Sequence, residues 1–542
     1  MVTHTKLLKA IFQVRWVPLA LSAAILVLLS WTLAWVSGGF QSARGWLSFL
    51  LILLLGVALL AGGWRLLHSE TPPRWLIWLL LGAALLRLAI GALWLVVLPV
   101  AGYGTPPERH GYVMADAYDR DQTAWDLAQS DKPLTRAFQG TYRKADQYGG
   151  LLFLSAAVYR YSGGSAHYPL LMVVLTAAFS ALAVLFTWAL ARRLWGETPA
   201  RLAAWGLALY PEAVLLGSSQ MREAFTITLA VAASYGLLLY SEKRDWSGLA
   251  LAVGSLGLSM LLSPPSAALL LVVLAIQALG TGRLLFPTSI RERRWFWPAL
   301  AILVALVAVG LWLAWLQFAP PGVTTPLGVV SWWIKKSADW NAYLSERASG
   351  WVQKVFDSTP GWTHLPLLVV YGVAQPFLPA ALIDITGAPI WRLIAVWRSL
   401  GWTLLLPFLL YAPLCAWRKG SSRERTLILA VWLVILVASF RGGGDPWDNP
   451  RYRLAFAGLQ VALVAWVWAE QGRQPDPWLR RVLVGLGLVL IWFVPWYLRR
   501  YLHLNWPVDD LFKTLGLGIA SAALYWIGDW AGEGYKKRKT IA

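Results

Sequence analysis

Long apolar runs separated by short clusters of charge fill the chain from about residue 16 onward. A helix needs about 20 mainly apolar residues to cross the hydrocarbon core of a bilayer. Stretches near that length lie at 16–36, 46–67, 75–100, 168–191, 199–217, 223–240, 246–262, 266–281 and 297–317. After a polar interval, others follow at 401–417, 426–440, 453–470, 482–498 and 510–530. The pattern predicts an all-α polytopic membrane protein with about fourteen transmembrane helices.

The charge clusters supply an orientation. With a cytoplasmic N-terminus every second turn is cytoplasmic too, and there fall Arg192 and Arg193, Lys243 and Arg244, and Arg291 with Arg293 and Arg294. Arg418, Lys419, Arg423 and Arg425 keep the same phase, as do Arg480 and Arg481 and the terminal Lys536, Lys537, Arg538 and Lys539. This positive-inside bias places both termini in the cytoplasm of a plasma-membrane protein. A crossing at 365–383 would invert everything after it, and Pro366, Pro376 and Pro379 favour a re-entrant or interfacial element there. The basic N-terminus precedes an apolar run too long for a signal peptide, which predicts an uncleaved first helix. The chain then divides into N-terminal helices (1–100), a first external loop (101–167), central helices (168–317), a second external loop (318–400) and C-terminal helices (401–542). Within the first loop, DAYDRDQTAWDLAQ and YGGLLFLSAAVYRYSGG predict short interfacial helices.

Composition agrees with bilayer solvent: 58% of residues are hydrophobic, 14% charged, and the mean hydropathy is +0.56. The formal charge of +20 could suggest a nucleic-acid partner, yet the positive residues punctuate apolar segments and form no soluble basic domain, so the charge reads as topology. A lone Cys415 excludes an intramolecular disulfide, and the histidines show no metal-ligand spacing.

Chemistry concentrates in few places. The first loop carries Asp116, Asp119, Asp121, Asp126, Asp131 and Asp146. On a helix Asp116 and Asp119 are one turn apart, a spacing that suits a general base beside a second orienting group, while Asp121 points elsewhere. The bland alternative is a solvated acidic face. The spacing equally admits a bound Mg²⁺ or Mn²⁺ held through few protein ligands, so no metal site is assigned. PEAVLLGSSQMREAF brings Glu212, Arg222 and Glu223 close to membrane depth, where charge is costly and faces a cavity or a partner, unless these residues only bound a tight turn. FRGGGDPWDNPRYRLAF presents Arg451 and Arg453, able to grip phosphate or to anchor a helix to headgroups, with Asp445 and Asp448 able to hold them when no ligand is bound. In the second loop Lys335 and Lys336 stand among Trp332, Trp333 and Trp340, as on an amphipathic surface helix or a sugar-lipid site, and Asp384 is a lesser candidate.

The order of these parts resembles the GT-C superfamily of polytopic glycosyltransferases over roughly residues 110–470. The resemblance rests on the acidic loop, the short interfacial element, LARRLWGETPARLAAWGLALYPEAVLLGSSQMREAF and the late NPRYRLAF. The nearest likeness is to the protein-mannosyltransferase and lipid-sugar-transferase branch. The resemblance implies transfer of a sugar from a polyprenyl-phosphate-linked donor to a hydroxyl of a glycan, lipid or protein acceptor, outside the cell and with inversion. It also implies an aspartate base in the first large loop, which by position matches Asp116 best and Asp119 next. The family's acidic pair is often adjacent, whereas Ala117 and Tyr118 separate these two. Arg222, Arg451 and Arg453 fall where the family places positive charge for the lipid phosphate. Two other readings are a lipid-linked oligosaccharide flippase, which would put charge along a path through the bilayer, and an O-antigen polymerase or ligase, whose main hydrophilic loop comes late in the chain.

Overall fold

The computed structural model describes residues 3–39, 42–162, 166–281, 290–346, 350–383, 387–503 and 505–541. All regular structure among them is helical. Among the described residues, eight helices are long and apolar enough to cross a membrane: Ala43–Leu66, Arg74–Ala101, Leu170–Trp195, Glu223–Lys243, Pro389–Lys419, Ser422–Gly442, Pro477–Arg499 and Leu511–Glu533. A ninth qualifies if Asp448–Leu454 and Ala457–Arg473, bent by 78° at their junction, count as one broken span.

Part of the difference from fourteen lies in length, whereas the 16–36 and 297–317 runs fall within the long helices Thr3–Val36 and Ile290–Phe318. Proline cannot continue a helix from its preceding turn, and it begins a new helix at Pro211 and at Pro264. The 199–217 run therefore splits into Glu197–Leu209 and Pro211–Gly217. Trp246–Leu262 and Pro264–Gly280 remain apolar helices of 17 residues each. The proline-rich 365–383 stretch is also divided, into Gly361–Ala374 and Leu378–Ile383.

The chain forms two compact units. The first comprises Met1–Phe186, Ala213–Leu229 and Ser255–Ala267. Its core joins Phe49, Ile52 and Leu53 to Leu151, Leu152 and Tyr159. Inside its Arg74–Ala101 span, Arg87 is fully buried, and its donors are used: Nε to Ser180 Oγ at 3.1 Å and a terminal nitrogen to Ala83 O at 3.0 Å. An arginine in that position is tolerable only because its hydrogen bonds replace water.

The second unit comprises Thr187–Glu212, Ala230–Gly254 and Ala268–Ala542. In it Gly236 and Gly248 let neighbouring helices meet backbone to backbone: a Cβ on Gly236 would lie 2.5 Å from Gly248 O. Such small-residue contacts are how helices approach closely in lipid.

Candidate active site

The first-loop helix runs Ala115–Gln129. Ala117, Arg120, Asp121, Ala124, Leu127 and Ala128 are buried, at helical spacing, while Asp116, Asp119 and Asp126 are exposed. Asp116 occupies the first turn, where a carboxylate complements the positive end of the helix dipole. At the other end Arg160, from the Gly150–Ser162 helix, donates to the carbonyls of Leu127 (2.6 Å), Ser130 (2.6 Å) and Ala128 (3.1 Å). Those bonds satisfy acceptors that a helix C-terminus leaves open and hold the acidic face in place.

Two clusters lie beneath that face. In the first, Asp121 accepts from the Tyr112 hydroxyl, from the Tyr159 hydroxyl at 2.5 Å and sits 2.8 Å from His167 Nε2. Trp125 stacks on His167 with ring centroids 5.2 Å apart. Burial first, then the charge of Asp121, holds the Tyr112 and Tyr159 hydroxyls well above their ordinary value, so both remain donors. A buried carboxylate bonded by three neighbours is a fixed acceptor, whereas Asp116 on the same helix is open to solvent.

In the second cluster the buried Asp146 takes backbone N–H groups from Tyr148 (3.3 Å, on Oδ1) and Leu152 (3.0 Å, on Oδ2). Gly149, at φ +79°, makes that turn possible; a Cβ there would also fall 2.4 Å from Ala137 O. Arg222 stands 3.7 Å from one Asp146 oxygen and Arg120 4.0 Å from the other, close enough for attraction but beyond hydrogen-bonding range. Arg120 donates to Gln220 O at 2.7 Å, and the Arg222 guanidinium lies 5.0 Å over the Tyr148 ring. Arg120 Nε, its second terminal nitrogen and Arg222 Nε are buried and donate to nothing. Burial pulls the Arg120 guanidinium below its ordinary value, and Asp146 pulls it back. Asp116 and Glu223 also act on it through charge. The arrangement is a pair of desolvated guanidinium groups with donors to spare, next to an exposed carboxylate face.

Beside both clusters opens a crevice of about 350 Å³, walled by Trp94, Leu95, Tyr112, Ala117, Leu170 and Gln220. Tyr112 joins the crevice to the Asp121 cluster, Gln220 joins it to Arg120, and Ala117 is the neighbour of Asp116.

The remaining candidates belong to the second unit. Glu212 and Arg398 form a bidentate pair at 2.7 and 2.8 Å, both 2% exposed, with Arg398 stacked 4.0 Å from Trp447. The late motif forms the helix Asp448–Leu454, whose start is held by Asp445 Oδ1 accepting from the Trp447 and Asp448 N–H groups. Residues two apart on a helix point to opposite sides, so Arg451 and Arg453 diverge and do not form one fork. Arg451 lies 3.6 Å from Asp448 and is partly exposed; Arg453 is 1% exposed, its guanidinium 3.3 Å from the Trp402 ring centre. Lys335 and Lys336 are exposed on Gly328–Glu346, Lys336 lying 6.0 Å from the Trp332 ring. Asp384 lies outside the described residues.

Residues 169–315 match the family model described as dolichyl-phosphate-mannose-protein mannosyltransferase. The resemblance to GT-C glycosyltransferases therefore has independent support across the central helices. A rhomboid protease GlpG of Pectobacterium atrosepticum is 28% identical over 133 residues, which is 24% of this chain and 43% of that protein. Among solved structures, the archaeal oligosaccharyltransferase AglB of Archaeoglobus fulgidus, in complex with an inhibitory peptide and a dolichol-phosphate, is 17% identical. It covers 83% of this chain and 55% of its own, at a TM-score of 0.39. The same organism's oligosaccharyltransferase tethered to an acceptor peptide is 17% identical, with 84% and 55% coverage and a TM-score of 0.41. The chain thus spans about half the length of these enzymes, and superpositions this loose transfer no geometry.

Arg120, Asp146 and Arg398 carry much of this geometry and were not singled out as ligand contacts by their spacing. One signal was present: Arg120 stands four residues after Asp116, a same-face pair on any helix.

Proposed function

We propose that the protein is a membrane glycosyltransferase that moves a sugar from a polyprenyl-phosphate-linked donor to an acceptor hydroxyl, with inversion, on the non-cytoplasmic side. The observation that supports it best is the first-loop constellation: the exposed Asp116 on the same helix as Arg120, with Arg222 across Asp146 and guanidinium N–H groups left without acceptors. Asp116 takes the acceptor's proton as its oxygen attacks the anomeric carbon; Asp119, one turn away, orients the acceptor. The bond to the phosphate oxygen breaks as the new one forms, and the lipid phosphate leaves with its charge met by Arg222 and Arg120. Desolvated arginines stabilise that developing charge far more than they would in water. The sugar approaches this face at the crevice mouth beside Trp94 and Tyr112. Any Mg²⁺ or Mn²⁺ would be held by Asp116 or Asp119 together with donor phosphate oxygens. In the second unit Arg451, being partly exposed, is suited to a lipid phosphate, whereas the buried Arg453 is suited to bracing its helix against Trp402.

The test is incubation of the purified protein with a labelled polyprenyl-phosphate sugar and a pool of glycan, lipid and peptide acceptors. Label moving to an acceptor with release of polyprenyl phosphate is expected. Movement of intact donor across liposomes without bond cleavage would instead establish a flippase.

A further inference from the structure

A second crevice, of about 410 Å³, lies within the second unit, away from every residue assigned above. Its walls come from one end of four helices: Leu190 and Leu194 near the C-terminus of Leu170–Trp195, Leu237 and Leu238 near that of Glu223–Lys243, Gln277 near that of Pro264–Gly280, and Arg423 with Leu427 at the start of Ser422–Gly442. Five leucines form the apolar half of the wall, which suits an alkyl chain. Its mouth is polar. Gln277 Nε2 is buried there and donates to nothing, whereas the hydroxyls of Ser234, Thr281 and Thr426 each donate to a carbonyl of their own helix, at 3.0, 2.8 and 3.0 Å.

Charge at that mouth favours an anion. Arg423 and Arg193 share one carboxylate, each taking one oxygen of Glu242, at 2.8 and 3.0 Å. Arg192 is 3.5 Å from Glu197, and Glu424 accepts from Trp195. With Lys243, Arg244 and Arg425 at the same helix ends and Asp245 as the further acid, basic residues outnumber acidic ones. An excess of arginine and lysine at helix ends marks the cytoplasmic leaflet, whose anionic lipids are drawn to such clusters.

We infer that this crevice is a binding site for one anionic phospholipid of the cytoplasmic leaflet. An acyl chain lies along Leu190, Leu194, Leu237 and Leu427, an ester carbonyl accepts from Gln277 Nε2, and the phosphate lies against Arg423. The inference stands independently of the transferase reading, because none of these residues takes part in it.

Native mass spectrometry of the full-length protein, delipidated and then titrated with dioleoyl phosphatidylglycerol or dioleoyl phosphatidylcholine, tests it. Retention of a single phosphatidylglycerol at an affinity about tenfold above phosphatidylcholine is expected, equivalent to about 1.4 kcal/mol. Gln277→Leu and Arg423→Gln each lower retention, and Leu237→Trp, which fills the crevice, abolishes it. Leu429→Trp, an outward position on the Ser422–Gly442 helix, leaves it unchanged. Equal retention of the two lipids, or equal retention by the Leu237→Trp and Leu429→Trp proteins, overturns the inference and leaves only annular lipid. Should Leu237→Trp fail to fold, Gln277→Leu and Arg423→Gln decide alone: undiminished retention in both rejects the site.

Discussion

Replacing Glu212 with Gln is the sharpest perturbation of the second unit. Both Glu212 oxygens accept from Arg398, at 2.7 and 2.8 Å, and both residues are 2% exposed. Glutamine keeps the shape but removes the charge, leaving Arg398 and the neighbouring Arg453 desolvated with no carboxylate between them. Removing one partner of a buried pair costs about 3–5 kcal/mol, because the survivor's desolvation is no longer offset. Arg398→Met should cost a similar amount, by stranding Glu212. Combining the two removes both charges, so neither is left buried without its partner. The double variant should therefore lose several kcal/mol less than the sum of the singles. Equilibrium unfolding by SDS titration in mixed micelles, followed by tryptophan fluorescence, measures all four proteins. Costs that add to within about 0.5 kcal/mol would show that the pair is not coupled and refute the reasoning.

Other expectations follow from the first unit. Arg222→Lys loses the planar fork and should lower kcat/KM for the donor by about ten- to a hundredfold, the worth of a charge-assisted hydrogen bond, with little change in thermal stability. Gly149→Ala forces a side chain onto a left-handed residue facing Ala137 O and should destabilise by at least about 1–3 kcal/mol, seen as lower yield and an earlier unfolding transition. Tyr112 and Tyr159 are held protonated in the folded protein. Their contribution is complete below the unfolded tyrosine value of about 10 and is lost as pH rises from there towards the folded value. Unfolding measured from pH 8 to 11 should show wild type losing stability above about pH 10, and the Tyr112→Phe/Tyr159→Phe protein lacking that part of the loss.

The helices were legible because bilayer solvent imposes a simple rule of length and apolarity, and the first-loop helix was legible from Tyr118, Trp125 and Leu127 set among acidic and polar residues. The number of full-length spans was not, because a proline such as Pro211 cuts an apolar run that hydropathy alone joins. Within the candidate site, Asp116 and Arg222 could be picked out as charges next to apolar runs. Their setting could not. Asp146 reaches Arg120 and Arg222 from distant parts of the chain, and Glu212 meets Arg398 across a sequence separation of 186 residues. Such pairs leave no local periodicity to read. The late R-x-R spacing suggested one two-armed grip, but the short helix it forms sends Arg451 and Arg453 apart.

Single-turnover release of polyprenyl phosphate from a labelled donor, compared for wild type, Asp116→Asn and Asp119→Asn, tests the assignment of the base most directly. The account predicts a fall of about 10²- to 10⁴-fold for Asp116→Asn, the usual contribution of a general base, with a smaller loss for Asp119→Asn and unchanged folding of both. Full turnover by Asp116→Asn, or loss confined to Asp119→Asn, would contradict it.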